Sequence, residues 1–172
     1  MMSIFDRLFR RPEDRTVMRP LYDAVVARGR DVRWYVEGAV PDTLDGRFDM
    51  IAAILSLVLC RLDHADMRHE NVWLTELFVD DMDSQLRQMG IGDVVVGKHI
   101  GRMMSALGGR LSAYRAGIAP GGDLADALKR NLYRGEPVDP AAVAFVEKGL
   151  RAFSAALQAT TPDSLIAGKL PE

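Results

Sequence analysis

Apolar residues recur every three or four positions along almost the whole chain, which is the spacing of helices that bury one face. The alternation of apolar and polar residues that marks strands is nearly absent outside the short stretch 94–96. The clearest helical segment covers residues 44–63, follows a helix-start signal at residues 41–43, and contains an uncharged run at residues 50–60. These patterns predict an all-α fold in which this segment is a buried central helix.

The other predicted helices share this spacing and are bounded by residues that start or stop helices; they cover residues 20–28, 32–36, 71–89, 93–116, 123–132 and 140–160. A chain of 172 residues buries roughly 70% of its unfolded surface when it folds, which is enough for one core. We predict a single-domain bundle of about six to seven helices at residues 13–160. An amphipathic segment at residues 1–12 precedes it, and residues 161–172, which are polar and contain Pro162 and Pro171, are predicted to form an extended C-terminal tail.

Charge and cysteine content exclude several classes of protein. The chain has 24 acidic and 22 basic side chains, a net charge of −2, so duplex DNA is not an expected partner. Cys60 is the one cysteine, which excludes an internal disulfide and fits a reducing cytoplasm. Charged residues interrupt the first eleven positions, where a secretory signal would be apolar, and the run at residues 50–60 is too short to cross a bilayer. We therefore expect a cytoplasmic protein.

The predicted helix at residues 93–116 sorts its side chains into three sectors. At 100° per residue, they are an apolar sector (Val96, Ile100, Met103, Leu107, Leu111, Tyr114), a sector of small residues (Gly97, Gly101, Ser105, Gly108, Ser112) and a basic sector (Lys98, His99, Arg102, Arg110). We expect the small sector to pack against a neighbouring helix of the same chain. The alternative is a groove for a foreign apolar helix, helped by the adaptable methionines Met82, Met89, Met103 and Met104. The basic sector is either a solvated face or a contact for anionic lipid or ribosomal RNA.

The first residues form a second candidate interaction surface. Ile4, Phe5, Leu8 and Phe9 lie on one side of a short helical pattern, and three arginines lie elsewhere on it. Such a helix is too short to be stable alone, so it must dock on something. Its own core, a membrane surface and a partner protein are the alternatives.

Catalytic and metal-binding signals are weak. Glu76, Asp80 and Asp83 share one helical face and the DDMD run resembles the aspartate-rich helices of isoprenoid synthases, but an exposed acidic face relieved by Arg87 explains them better. Cys60 and His64 are one turn apart, which is too few ligands for a metal or haem site. No hydrolase, zinc-protease or phosphate-loop motif occurs in the chain. We therefore predict a protein that is not an enzyme and has no cofactor.

Several motifs in order resemble one family. They are residues 78–93 (FVDDMDSQLRQMGIGD), 109–115 (GRLSAYR) and 124–133 (LADALKRNLY), with GRFDM at residues 46–50 and CRL at residues 60–62 upstream. Together they look like the ubiquinol–cytochrome c chaperone family in its bacterial branch, over residues 21–157. The resemblance implies an all-helical assembly factor for the cytochrome bc1 complex that is not an enzyme.

The resemblance also implies partners. Mitochondrial relatives bind newly made cytochrome b and work with a small partner protein near the ribosome, so the expected client is cytochrome b or another bc1 subunit. A small helical partner, the ribosome and peripheral contact at the inner face of the cytoplasmic membrane remain open. We hypothesise that an apolar client segment lies against a face containing Met103, Met104 and Leu107, with Arg102 and Arg110 at its rim; Phe5 and Phe9 are further candidate contacts. The alternatives are a metal-dependent enzyme on isoprenoid or quinone substrates and a generic helical adaptor.

Overall fold

The structure, a computed structural model, describes residues 15–172, and the regular elements in that part of the chain are all helices, with no strand. A 3₁₀-helix at Arg15–Met18 precedes eight α-helices: α1 (Arg19–Gly29), α2 (Val32–Val36), α3 (Leu44–His64), α4 (Arg68–Gln88), α5 (Asp93–Ile118), α6 (Leu124–Asn131), α7 (Pro140–Ala159) and α8 (Pro162–Ile166). The predicted all-α class and single domain are confirmed. The stretch 94–96, which looked most like a strand, lies in the first turn of α5.

The start signals found in the sequence cap the helices as expected. Thr43 Oγ1 accepts a hydrogen bond from the Gly46 amide at 3.1 Å, at the start of α3. Asp123 caps α6 and Asp139 caps α7 in the same manner, through amide donors at 2.8 and 2.9 Å. Each cap satisfies an amide that the first turn of a helix leaves without a partner, which fixes where these helices begin.

The central helix of the bundle is α3. It packs against α1, α4, α5 and α7, and it is buried along most of its length. This burial explains why residues 50–60 carry no charge, because an unpaired charge there would lose its hydration. The core includes the following residues of α3: Met50, Ile54, Leu55, Val58, Leu59 and Leu62.

The C-terminal segment differs from the sequence prediction. Residues 162–166 form the short helix α8 instead of an extended tail, because Thr161 accepts a hydrogen bond from the Ser164 amide and Pro162 suits the first turn. Leu165 is only 1% exposed, and α8 contacts α1. One well-placed leucine and a capping threonine thus attach a segment whose composition alone indicated a tail.

The predicted N-terminal segment at residues 1–12, with Phe5 and Phe9, lies outside the described residues. Within residues 15–172, no helix is both long and apolar enough to cross a membrane.

Candidate binding groove

A groove lies between the first half of α3, the second half of α4 and the middle of α5. Its volume is about 670 Å³. We call it the arginine groove; its basic residues are Arg30, Arg47, His99, Arg102, Arg110 and Arg134. The volume falls within the roughly 300–1,000 Å³ typical of binding clefts.

The floor of the arginine groove is apolar. Phe48 and Ile51 come from successive turns of α3, and Met82 and Met103 come from α4 and α5. The ring of Phe48 packs on the buried ring of Phe78, with centroids 5.5 Å apart, and this contact holds Phe48 in place in the floor. Leu86, Met89 and Ile91 continue the apolar surface towards the α4–α5 connection.

The rim of the arginine groove carries arginines that differ in their ion pairing within the described chain. Arg30 and Arg102 are exposed, and neither has an ion-pair partner among residues 15–172. Arg47 differs, because its Nε lies 2.7 Å from Asp42 Oδ1. Two guanidinium groups with no counter-ion in the described chain, beside an apolar floor, favour a ligand that is apolar along its length and carries negative charge at an edge.

A buried carboxylate holds two of the other arginines in place. Asp49 on α3 is fully buried, and its carboxylate accepts hydrogen bonds from Arg110 Nη2 at 2.7 Å and Arg134 Nε at 2.6 Å. Arg134 also reaches Asp45 Oδ2 at 3.0 Å, and the Arg110 guanidinium carbon lies 5.3 Å from the centre of the Phe48 ring. These contacts tie α3, α5 and the residues after α6 together beneath the groove.

The electrostatics of this cluster have opposing causes. Burial raises the pKa of Asp49 above its usual range, while the Arg134 hydrogen bond and the charges of Arg110 and Arg134 counteract that effect. Its hydrogen bond to Asp49 raises the pKa of Arg134. Arg110 Nε is buried without a hydrogen-bond partner among the described residues, so part of its donor capacity is unused.

Sequence reasoning missed Asp49 as a structural residue, although a signal for it exists. Asp49 lies on the same helical face as Ala53, Ser56 and Cys60, which are all buried. A carboxylate on a face that is otherwise buried needs a cation beside it, so the sequence indicates that a distant basic residue pairs with Asp49. Arg134 could not be chosen from the sequence, because the fold of α6 and its following turn brings it there.

The face predicted to bind a client is divided by the structure. Arg102, Met103 and Arg110 line the arginine groove, whereas Met104 lines a separate groove on the other side of α5. Leu107 lies between the two grooves and is 3% exposed, so it belongs to the core and cannot be a surface contact in this conformation. Arg110 is also not a solvated rim residue, since its side chain is 11% exposed and paired with Asp49.

Among residues 15–172, no neighbouring helix covers the small-residue sector of α5, contrary to the prediction. Gly97, Gly101, Ser105, Gly108 and Ser112 are all exposed. A Cβ atom added at Gly97, Gly101 or Gly108 would have no neighbour within 4 Å in the described chain. The described chain therefore leaves this sector uncovered.

The three acidic residues of the DDMD run have basic or hydroxyl partners. Asp80 lies 2.6 Å from Arg15, and Asp83 lies 2.7 Å from Arg87. Tyr22 donates a hydrogen bond to Asp81 at 2.6 Å. Within residues 15–172, no three histidine, cysteine or acidic side chains come close enough to hold a metal ion. Each acidic side chain of the DDMD run therefore has a partner within the described chain.

A helical bundle with an apolar groove and a cationic rim defines a helical binding protein. Residues 37–171 match the family model of the ubiquinol-cytochrome C chaperone, and the chain belongs to that family. The structure is similar to the crystal structure of the Cbp3 homolog from Brucella abortus, with a TM-score of 0.79 and 28% sequence identity over 97% of this chain and 95% of that one. No curated protein sequence matches the chain. The resemblance seen in the motifs is thus confirmed, together with the bc1-assembly chaperone role that it implies.

Proposed function

We propose that this chaperone holds an apolar segment of newly made cytochrome b in the arginine groove until the bc1 complex assembles. Membership of a chaperone family implies a client protein. The arginine groove supports the proposal because it combines an apolar floor with Arg30 and Arg102, which have no ion-pair partner among residues 15–172.

The shape of the groove suits one face of a helix. An α-helix with side chains is about 10 Å across, so a groove of this volume accepts one apolar stripe and leaves the opposite face of the client outside. Met82, Met89 and Met103 lie along it, and the flexible methionine side chain can adapt to different apolar surfaces. A chaperone must release its client, which agrees with partial enclosure.

The charge of the rim suits the end of such a helix. The C-terminus of a helix carries a partial negative charge on its unpaired carbonyl groups, which favours a cation beside it. Arg30 and Arg102 would pair with these groups once the apolar stripe is seated. The protein would act by binding alone, without catalysis, in the cytoplasm or at the inner face of the cytoplasmic membrane, where cytochrome b is inserted.

The test uses two neighbouring residues that face different grooves. A photoreactive amino acid replaces Met103 in one variant and Met104 in a matched control, and cross-linked products are collected while cytochrome b is being synthesised. We expect cytochrome b adducts from position 103 and few from position 104. Equal adducts from both positions, or none from position 103, would contradict the proposed groove.

A second measurement separates this function from a generic adaptor. Deletion of the gene should lower cytochrome b and bc1 activity, and a groove variant such as Met103→Asp should reproduce the loss while the protein remains folded. Normal bc1 activity in the deletion strain would reject the role in cytochrome b assembly, whatever the groove binds.

A further inference from the structure

A second groove lies on the opposite side of α5 from the arginine groove. Its volume is about 540 Å³, and we call it the outer groove. One wall is an outward face of α4, and the other carries Met104; the lining includes Arg15, Val72, Glu76, Val79, Asp80 and Met104. The proposed client function does not use this groove.

The outer groove continues onto the uncovered small-residue face of α5. At 100° per residue, Gly97, Gly101 and Gly108 lie within about 60° of Met104 around the helix axis. A Cβ at any of these glycines would meet nothing in the described chain within 4 Å. Small residues let a second backbone approach closely, and Met104 and Val72, which are 40% and 54% exposed, provide apolar contacts beside them.

The α4 wall of the outer groove is acidic. Glu76 and Asp80 lie one turn apart on this wall. Arg15, at the first described position of the chain, reaches both, with Nη1 3.6 Å from Glu76 Oε2 and Nη2 2.6 Å from Asp80 Oδ2. The described part of the chain therefore begins at the outer groove, where its first residue forms ion pairs with the acidic wall.

The segment before Arg15 complements the outer groove in charge and in apolar residues. Residues 4–11 contain three arginines and one aspartate, and their apolar residues are Ile4, Phe5, Leu8 and Phe9. From Arg15 back to Arg11 the chain spans at most about 14 Å, so the segment begins within reach of the groove. The arginine groove carries the same sign of charge as the segment and lies on the other face of α5.

We propose that residues 4–11 dock as a short amphipathic helix in the outer groove of their own chain. Phe5, Leu8 and Phe9 would cover Met104, Val72 and the glycine face of α5, and the arginines would extend the ion pairing that Arg15 begins. This occupant accounts for both the uncovered glycines and the acidic wall.

The test is a disulfide within one molecule of the full chain. Cys60, the only native cysteine, is first replaced by alanine, and Phe5→Cys or Phe9→Cys is then combined with Met104→Cys. The matched control combines the same changes with Ala106→Cys, because Ala106 is also exposed on α5 but lines the arginine groove. Oxidised samples are compared on non-reducing gels.

We expect a disulfide-linked monomer with position 104 and little of it with position 106. Adding Gly101→Leu and Gly108→Leu should remove most of that product, because the larger side chains block close approach while the described fold has space for them.

Four results would overturn the proposal. They are equal linkage to position 106, disulfide-linked dimers as the main product, no linkage at either position, and linkage that the leucine substitutions leave unchanged. In the second case a second copy of the chain occupies the groove. In the third, flotation with phosphatidylglycerol vesicles would assign the segment to a membrane surface instead.

Discussion

A carboxylate inside a helical bundle loses the hydration that makes it stable in water, and this loss costs several kcal/mol unless cations replace the water. Asp49 meets this condition through Arg110 and Arg134, which approach it from two different elements. The cluster therefore stabilises the fold only while all partners are present. It also fixes the position of Arg110 beside the Phe48 ring at the edge of the arginine groove.

Replacing Asp49 by alanine should destabilise the protein by about 3–5 kcal/mol, because it leaves Arg110 buried without a counter-charge. The measurement is urea unfolding followed by helical circular dichroism. Asp42→Ala is the matched control, since Asp42 also pairs with an arginine but is exposed, and its loss should change stability little. Similar effects of the two substitutions would mean that the Asp49 cluster is not a buried ion pair in solution.

Tyr133 makes stability depend on alkaline pH. Its hydroxyl donates a hydrogen bond to the Gly38 carbonyl at 2.6 Å, and burial raises its pKa from 10.0 to about 12. Between these pH values the folded state binds the phenolic proton and the unfolded state releases it, so the free energy of unfolding falls as pH rises. Tyr133→Phe should make this decline shallower.

The decline should not vanish in that variant, because burial also raises the pKa of Tyr22 and Tyr114. Unfolding free energies of both proteins from pH 9 to about 12 provide the measurement. Parallel pH profiles for the wild type and Tyr133→Phe would show that Tyr133 ionises equally in the folded and unfolded states.

At the scale of elements, the sequence predicted a helix most reliably where one face repeats over several turns. The long helices α3, α4, α5 and α7 were found in this way, although α4 begins at Arg68, three residues before the predicted start. The equally short α2 was predicted, but α8 was not, because residues 162–166 contain only two adjacent apolar residues, Leu165 and Ile166, and show no helical spacing. Its position depends on the threonine cap and on burial of Leu165 beside α1.

Leu165 is therefore expected to anchor the C-terminal segment. Leu165→Ala should cost about 2–5 kcal/mol, as other buried leucine truncations do. Lys169→Ala, at an exposed position in the same segment, should have little effect. Equal stability of the two variants in urea unfolding would indicate that α8 contributes no packing to the core in solution.

The candidate site was less predictable than the helices. Arg102, Met103 and Arg110 were singled out on one helix, and they line the groove, but Met104 and Leu107 were placed on the same face and lie elsewhere. A helical wheel gives angles around one axis, and it does not tell where neighbouring helices end. The contributions of Arg30 and Arg134 follow from tertiary packing, which no local pattern encodes.

At the scale of the whole molecule, net charge and local charge have opposite signs. The chain carries −2 overall, yet six basic residues and one acidic residue line the arginine groove. Acidic side chains elsewhere, such as those of the outer groove, balance the total. The field near the groove should therefore attract an anionic segment even though the protein as a whole is acidic.

The concentration of basic residues at the arginine groove predicts that the affinity for the client depends on salt. A cytochrome b peptide with an apolar helix and an acidic end should bind more weakly as ionic strength rises, because exposed charge pairs are screened over about 10 Å at 0.1 M salt. The double variant Arg30→Ala, Arg102→Ala should bind several-fold to about tenfold more weakly at low salt, and its affinity should change less with salt. Fluorescence anisotropy of a labelled peptide measures both effects.

The control must remove the same net charge from a different surface. Lys148→Ala, Lys169→Ala does so, because both lysines are exposed and neither lines the arginine groove. If affinity depended only on net charge, the two double variants would lose the same amount. If the apolar floor alone bound the client, neither variant would change the salt dependence, and Met103→Asp would still abolish binding. Only a local contribution of the rim gives a large loss for the arginine pair and a small one for the lysine pair.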